Sequence, residues 1–171
     1  DVEELSIHGG SLRVYITHEN NNLYQKSIHI DQQLEKEKQF GLLEMSTYEN
    51  FAKNIQIVKQ DIHNFFVSAK KENKKIVCYG APAKGNTLLN FCEIGSDFIE
   101  YTVDKNPHKQ ELFLPGTHIP IYSPEKIQET KPDYLIILPW NLKEEIMEQM
   151  SSVRDWGGKF VILIPKVEII N

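Results

Sequence analysis

The 171-residue chain contains two cysteines, Cys78 and Cys92, and no apolar run near the roughly 20 residues that span a bilayer. Two cysteines cannot build a disulfide framework, and they suit a reducing, cytoplasmic compartment. No basic-then-apolar stretch opens the chain, so no membrane partner is expected. Basic charge is also short. Nineteen Lys and Arg against 24 Asp and Glu leave −5, the wrong balance for neutralising nucleic-acid phosphates. Metal signatures are missing too. His8, His18, His29, His63, His108 and His118 include no i, i+4 pair, and neither cysteine has a neighbouring His. No Gly-x-Ser-x-Gly elbow supports a serine nucleophile. What remains is 40% apolar and 25% charged, enough for one real core and too ordinary for disorder.

Proline is absent ahead of Pro82, and only Gly9, Gly10, Gly41 and Gly80 of the nine glycines precede it. Helix interiors exclude both residue types, so a helical front half and a turn-rich back half are expected. The opening Asp-Val-Glu-Glu, without an initiating methionine, reads as a piece of a longer protein.

In the front half, Leu12, Val14 and Ile16 alternate with polar neighbours, predicting a half-buried strand over 11–18. Asn20, Asn21 and Asn22 predict a loop, and the charged residues 30–40 a solvated helix. Ser46 and Glu49 form a capping-box pattern. Behind it Tyr48, Phe51, Ile55, Val58, Ile62, Phe65 and Ala69 recur every three or four residues, predicting a long amphipathic helix.

From Lys75 the pattern becomes strand, helix, strand. Residues 76–79 predict a strand, 86–92 a helix, and 98–103 a second strand ending at Asp104. A short 119–121 segment follows, then a helix opened by Ser123 as N-cap with Pro124 behind it. Residues 134–138 form an apolar strand of the kind covered on both faces. Asn141 and Glu144 resemble another capping box leading a helix to about Val153, and 160–164 is a last strand. Alternating strands and helices imply an α/β fold, a Rossmann-like doubly wound and mainly parallel sheet. The expected organisation is a strand plus helical lead-in over 1–72 and the Rossmann-like domain over 73–171.

The segment Tyr79-Gly80-Ala81-Pro82-Ala83-Lys84-Gly85-Asn86-Thr87 lies between the first domain strand and its helix. That is the carboxyl edge of the sheet, where doubly wound folds bind ligands. Gly80 permits a tight turn, Gly85 permits close helix–strand packing, and the helix start offers free N–H groups. With Lys84 these favour a phosphate or pyrophosphate. A dinucleotide fingerprint fails because Pro82 replaces the middle glycine and lacks an N–H. A nucleoside-triphosphate loop fails because Asn86 stands where the lysine belongs. A turn whose glycines only satisfy backbone geometry remains the plain alternative. Asp104, 24 residues after Gly80, stands where a carboxylate accepts ribose or sugar hydroxyls, and equally suits an exposed turn. Trp140 could stack on a base or sugar, or be core, while Asn141 caps its helix.

Taken in order, several blocks resemble the C-terminal part of the sugar C-methyltransferase family. They are His8-Gly9-Gly10-Ser11-Leu12-Arg13, Tyr79-Gly80-Ala81 with Lys84-Gly85-Asn86-Thr87-Leu88-Leu89-Asn90, and Asp104-Lys105-Asn106-Pro107. Leu114-Pro115-Gly116-Thr117-His118-Ile119-Pro120-Ile121, Lys131-Pro132-Asp133-Tyr134, Leu138-Pro139-Trp140-Asn141 and Trp156-Gly157-Gly158-Lys159-Phe160 complete the set. Leu112-Phe113 departs from the family, whose members often carry a glycine-containing turn there. The resemblance implies an enzyme that uses S-adenosylmethionine to methylate a carbon of a nucleotide-linked keto-deoxysugar. It implies a zinc module and an S-adenosylmethionine-binding domain ahead of this chain, with 1–72 as the tail of that domain and connecting helices.

The family's catalytic Glu-His pair lies upstream of the first block, so no catalytic residue is carried over and the chain alone is expected to be inactive. S-adenosylmethionine is not expected to bind mainly here. The implied role is substrate binding: Tyr79, Gly80, Ala81, Lys84, Gly85, Asn86, Thr87, Asp104, Trp140 and Asn141 around a nucleotide diphosphate, with Trp140 or Tyr79 near the base. The implied partners are the nucleotide sugar and the preceding domains. An NAD(P)-dependent oxidoreductase domain and a structural or assembly domain are the alternatives.

Overall fold

A computed structural model describes every residue except Asn22 and the side chain of His8. The loop expected at Asn20–Asn22 therefore falls partly outside the described residues. The chain divides into two compact units, 1–54 and 55–171, with the division inside one long helix.

The first unit holds an antiparallel hairpin, β1 (Val2–Leu5) and β2 (Ser11–Val14), followed by helix α1 (Ile28–Phe40). Ser27 caps α1 by accepting from the His29 N–H, and Gly41 closes it in the left-handed region at φ 86°. The strand expected over 11–18 is shorter and is not half-buried: Ile16 is 90% exposed. Alternation of apolar residues encodes a face, but among the described residues of this unit no buried layer lies against it.

Helix α2 spans Met45–Lys71. Ser46 lies inside it rather than capping it, because the helix begins one residue earlier. Only its second half buries side chains, namely Ile62, Phe66 and Ala69, with Val58 and Phe65 partly covered.

In the second unit, β3 (Ile76–Tyr79), α3 (Ala83–Phe91), β4 (Thr102–Val103) and β5 (Ile121–Tyr122) come first. They are followed by α4 (Lys126–Thr130), β6 (Tyr134–Ile137), α5 (Lys143–Gln149), β7 (Lys159–Ile162) and β8 (Glu168–Ile170). The sheet runs β5-β4-β3-β6-β7-β8, parallel except for β8. This is the 3-2-1-4-5-6 order of a doubly wound sheet, which reverses direction between β3 and β6. Successive residues of β3 and β6 face opposite layers. Cys78 and Ile136 join the α2–α3 side, while Val77, Tyr79, Leu135 and Ile137 join Ile127, Ile146 and Val153 opposite.

Three local expectations are corrected. The second strand is assigned only at Thr102–Val103, although Glu100 still donates its N–H to Ile76. Ser123 does not cap a helix: its carbonyl accepts from Lys126 in a preceding turn, and α4 starts at Lys126. Asn141 does not cap α5 either, since Trp140–Leu142 forms a 3-10 turn closed by the Leu142 N–H on Pro139. Proline at 124 and 139 holds each chain in a turn for a few residues before the α-helical bonds begin. Among the described residues no helix is long and apolar enough to cross a membrane.

Candidate functional site

The strand order reverses between β3 and β6, and at their carboxyl ends Gly80, Lys84, Gly85, Trp140 and Asn141 come together. β3 runs into Gly80 at φ 90°, where an added Cβ would lie 2.7 Å from the Pro139 ring. Only glycine fits this close approach of the two strand ends. Gly85 has the same role in the first turn of α3: a Cβ there would meet Leu138 at 2.8 Å. These two glycines bring the start of α3 against the segment that follows β6.

Lys84 bridges that gap. Its ammonium lies 4.3 Å from the centre of the Trp140 ring and donates to Asn141 Oδ1. Both contacts are neutral, so they leave the lysine's charge uncancelled. Helix geometry leaves the N–H groups of Ala83, Lys84 and Gly85 without intrahelical acceptors, the first internal bond running from Asn86 to Pro82. The first turn of α3 thus carries the positive end of the helix dipole, three N–H groups and the Lys84 side chain.

The remaining residues have other engagements. The Gly80 N–H donates to Val103 at 2.6 Å and the Ala81 N–H to Asp104 Oδ2 at 2.8 Å, so neither faces outward unpaired. Thr87 Oγ1 donates back to Ala83 at 3.1 Å, and the Asn86 carbonyl accepts from Asn90 at 2.9 Å. Tyr79 is 5% exposed and donates its hydroxyl to Gln149 Oε1 at 3.2 Å; burial chiefly raises its pKa above the ordinary value. It lies within the α5-side core rather than beside Lys84.

Asp104, the one carboxylate of the group, accepts from the Ala81 and Asn106 N–H groups and from Lys109. Burial works to raise its pKa, but the N–H groups of Asn106 and Ala81 and the Lys109 ammonium bring it below the ordinary value. Lys109, with its ammonium 3.1 Å from Asp104, is the residue the sequence reasoning missed. The Asp104-x-Asn106 turn is legible from residue types, whereas the return of Lys109 onto Ala81 needs the fold.

A model of the C-methyltransferase C-terminal domain matches residues 6–165. The chain belongs to that family. This C-methyltransferase C-terminal domain is 32% identical over its whole length to the C-methyltransferase NovU of Streptomyces niveus, of which it covers 40%. It thus spans well under half the length of that relative. The family domain also shows a likeness to the UDP-D-quinovosamine 4-dehydrogenase of Vibrio fischeri. That likeness covers 57% of this chain and 93% of the other, at 18% identity and a TM-score of 0.42.

Among the described residues no group of three or more His, Cys, Asp or Glu side chains could hold a metal ion.

Proposed function

We propose that this domain holds the nucleotide diphosphate of a nucleotide-linked keto-deoxysugar for a longer, S-adenosylmethionine-dependent C-methyltransferase. The carrying observation is Lys84, set at the start of α3 beside the carboxyl ends of β3 and β6, whose ammonium has, among the described residues, neutral contacts alone. The α3 N–H groups and Lys84 take the phosphates. Trp140 offers its ring to the base or sugar once Lys84 swings to the anion. Asn141 and Thr87 supply neutral hydrogen bonds at the rim.

Fixing the nucleotide end contributes to catalysis remotely. Binding energy from the non-reacting portion of a substrate can be used to align its reacting portion. Orientation of well-placed reactants accounts for roughly 7–11 kcal/mol of a barrier. The proton-abstracting and methyl-donating groups belong to the preceding domains in this reading, and the apolar side chains exposed over 1–54 meet those domains. The two free, buried cysteines suit a cytoplasmic protein.

Titration of the chain and of Lys84→Ala with dTDP, UDP and GDP tests the reading. Loss of one charge-assisted contact should weaken the nucleotide that binds by about tenfold, with unchanged thermal stability. Equal affinity of the two proteins would remove Lys84 from the site.

A further inference from the structure

The two peptides that lead into α3 are held by side chains outside it. Thr102, fully buried, donates its hydroxyl to the Gly80 carbonyl at 2.8 Å. Asp104 Oδ2 accepts the Ala81 N–H at 2.8 Å, and Lys109 donates to the Ala81 carbonyl at 3.0 Å. Lys109 also donates to Asp104 Oδ2 at 3.1 Å, so one ion pair grips Ala81 on both its polar groups. The pair is itself braced. Asp104 Oδ1 accepts the Asn106 N–H at 2.9 Å, and Gln110 donates to the Asp104 carbonyl at 2.9 Å. Asp104's side chain is 14% exposed, which shields these bonds from water.

Pro82 follows Ala81 with its φ fixed by the ring, and α3 starts at Ala83. The setting of Ala81 therefore fixes where the first N–H groups of α3 point and where Lys84 begins. We infer that Asp104 and Lys109 are positioning residues for the nucleotide diphosphate, holding the Gly80–Pro82 turn so that α3 and Lys84 meet the anion in a preset geometry. This rests on the nucleotide reading above and assigns Lys109 a role in it. The pair itself does not bind phosphate, because the Lys109 charge is matched by Asp104. It lowers the ordering cost of binding by fixing the turn beforehand.

The test titrates the chain, Asp104→Asn, Lys109→Met, Lys109→Arg and the Asp104→Asn/Lys109→Met double variant with dTDP, UDP, GDP and inorganic pyrophosphate. Amide exchange of Ala81 is followed in parallel. The expected result is a loss of about tenfold in each of Asp104→Asn and Lys109→Met, for nucleotide and pyrophosphate alike. The double variant should be no weaker than either single one, as for two groups acting as a unit. Lys109→Arg should recover most of the affinity, and Ala81 exchange should quicken wherever affinity falls. Variants that bind as wild type and lose only thermal stability would overturn the inference. So would additive losses, or a loss for nucleotide with pyrophosphate unchanged, which marks Asp104 as a sugar contact. Failure of the unmodified chain to bind any of the three nucleotides contradicts the nucleotide reading itself, and this inference with it.

Discussion

Residues 1–54 bury no described side chain, whereas both apolar clusters lie within 55–171. The first unit leaves Ile16 90%, Leu23 85% and Leu43 82% exposed; the second covers Phe66, Ile136 and Phe160 completely. Apolar burial is the main term offsetting the entropy of ordering a chain, at about 25 cal/mol per Å². The first unit has little of it. Its side-chain links include the surface pairs Lys36–Glu4 and Arg13–Glu3, of a kind worth about 0–1 kcal/mol each. The comparison teaches that regular secondary structure and a folded core are separate achievements. The Gly80–Gly85 turn lies in the unit that has both.

Helix α2 carries the contrast within a single element. Phe66→Ala empties a fully buried site and should destabilise the second unit by about 3–5 kcal/mol in urea unfolding. Phe51→Ala, at a residue 65% exposed, should change stability by less than about 0.5 kcal/mol. Similar losses from the two would break the comparison.

Acid should act on the second unit through two carboxylates. Asp133, like Asp104, has a pKa below the ordinary 3.8: burial opposes this, but the Lys75 N–H and the Lys74 ammonium outweigh it. A folded pKa below the unfolded one gives stability that is fully present above 3.8 and is lost as pH falls through the folded values. The urea midpoint should therefore decline below about pH 4, and Asp104→Asn should flatten that decline. A midpoint independent of pH across that window would contradict the bonding described for both residues. The effect is smaller than emptying a core site, because each carboxylate keeps some contact with water.

The second unit was largely legible because buried parallel strands are nearly continuous apolar runs. Val77 and Leu135 stand in such runs, and Gly80 and Gly85 punctuate them. Local capping was less legible. Ser46, Ser123 and Asn141 have the right residue type, yet the turns around them shift the helix starts by one to three residues. The strand expected over 11–18 is present only to Val14 and lacks a buried face, since a period of two does not reveal whether anything lies against it. At the site, Lys84, Gly85 and Trp140 were readable as a group because the topology alone brings them to one edge. Lys109 was not, because its partners are 5 and 28 residues away and are reached only after β4 is in place.

Calorimetric titration of the chain with dTDP, UDP, GDP, NAD and S-adenosylmethionine in parallel tests the nucleotide role most directly. The expected result is heat from a nucleoside diphosphate alone, at an affinity of about 100 μM (~−5.5 kcal/mol) or tighter. Preferential binding of NAD or S-adenosylmethionine would contradict it.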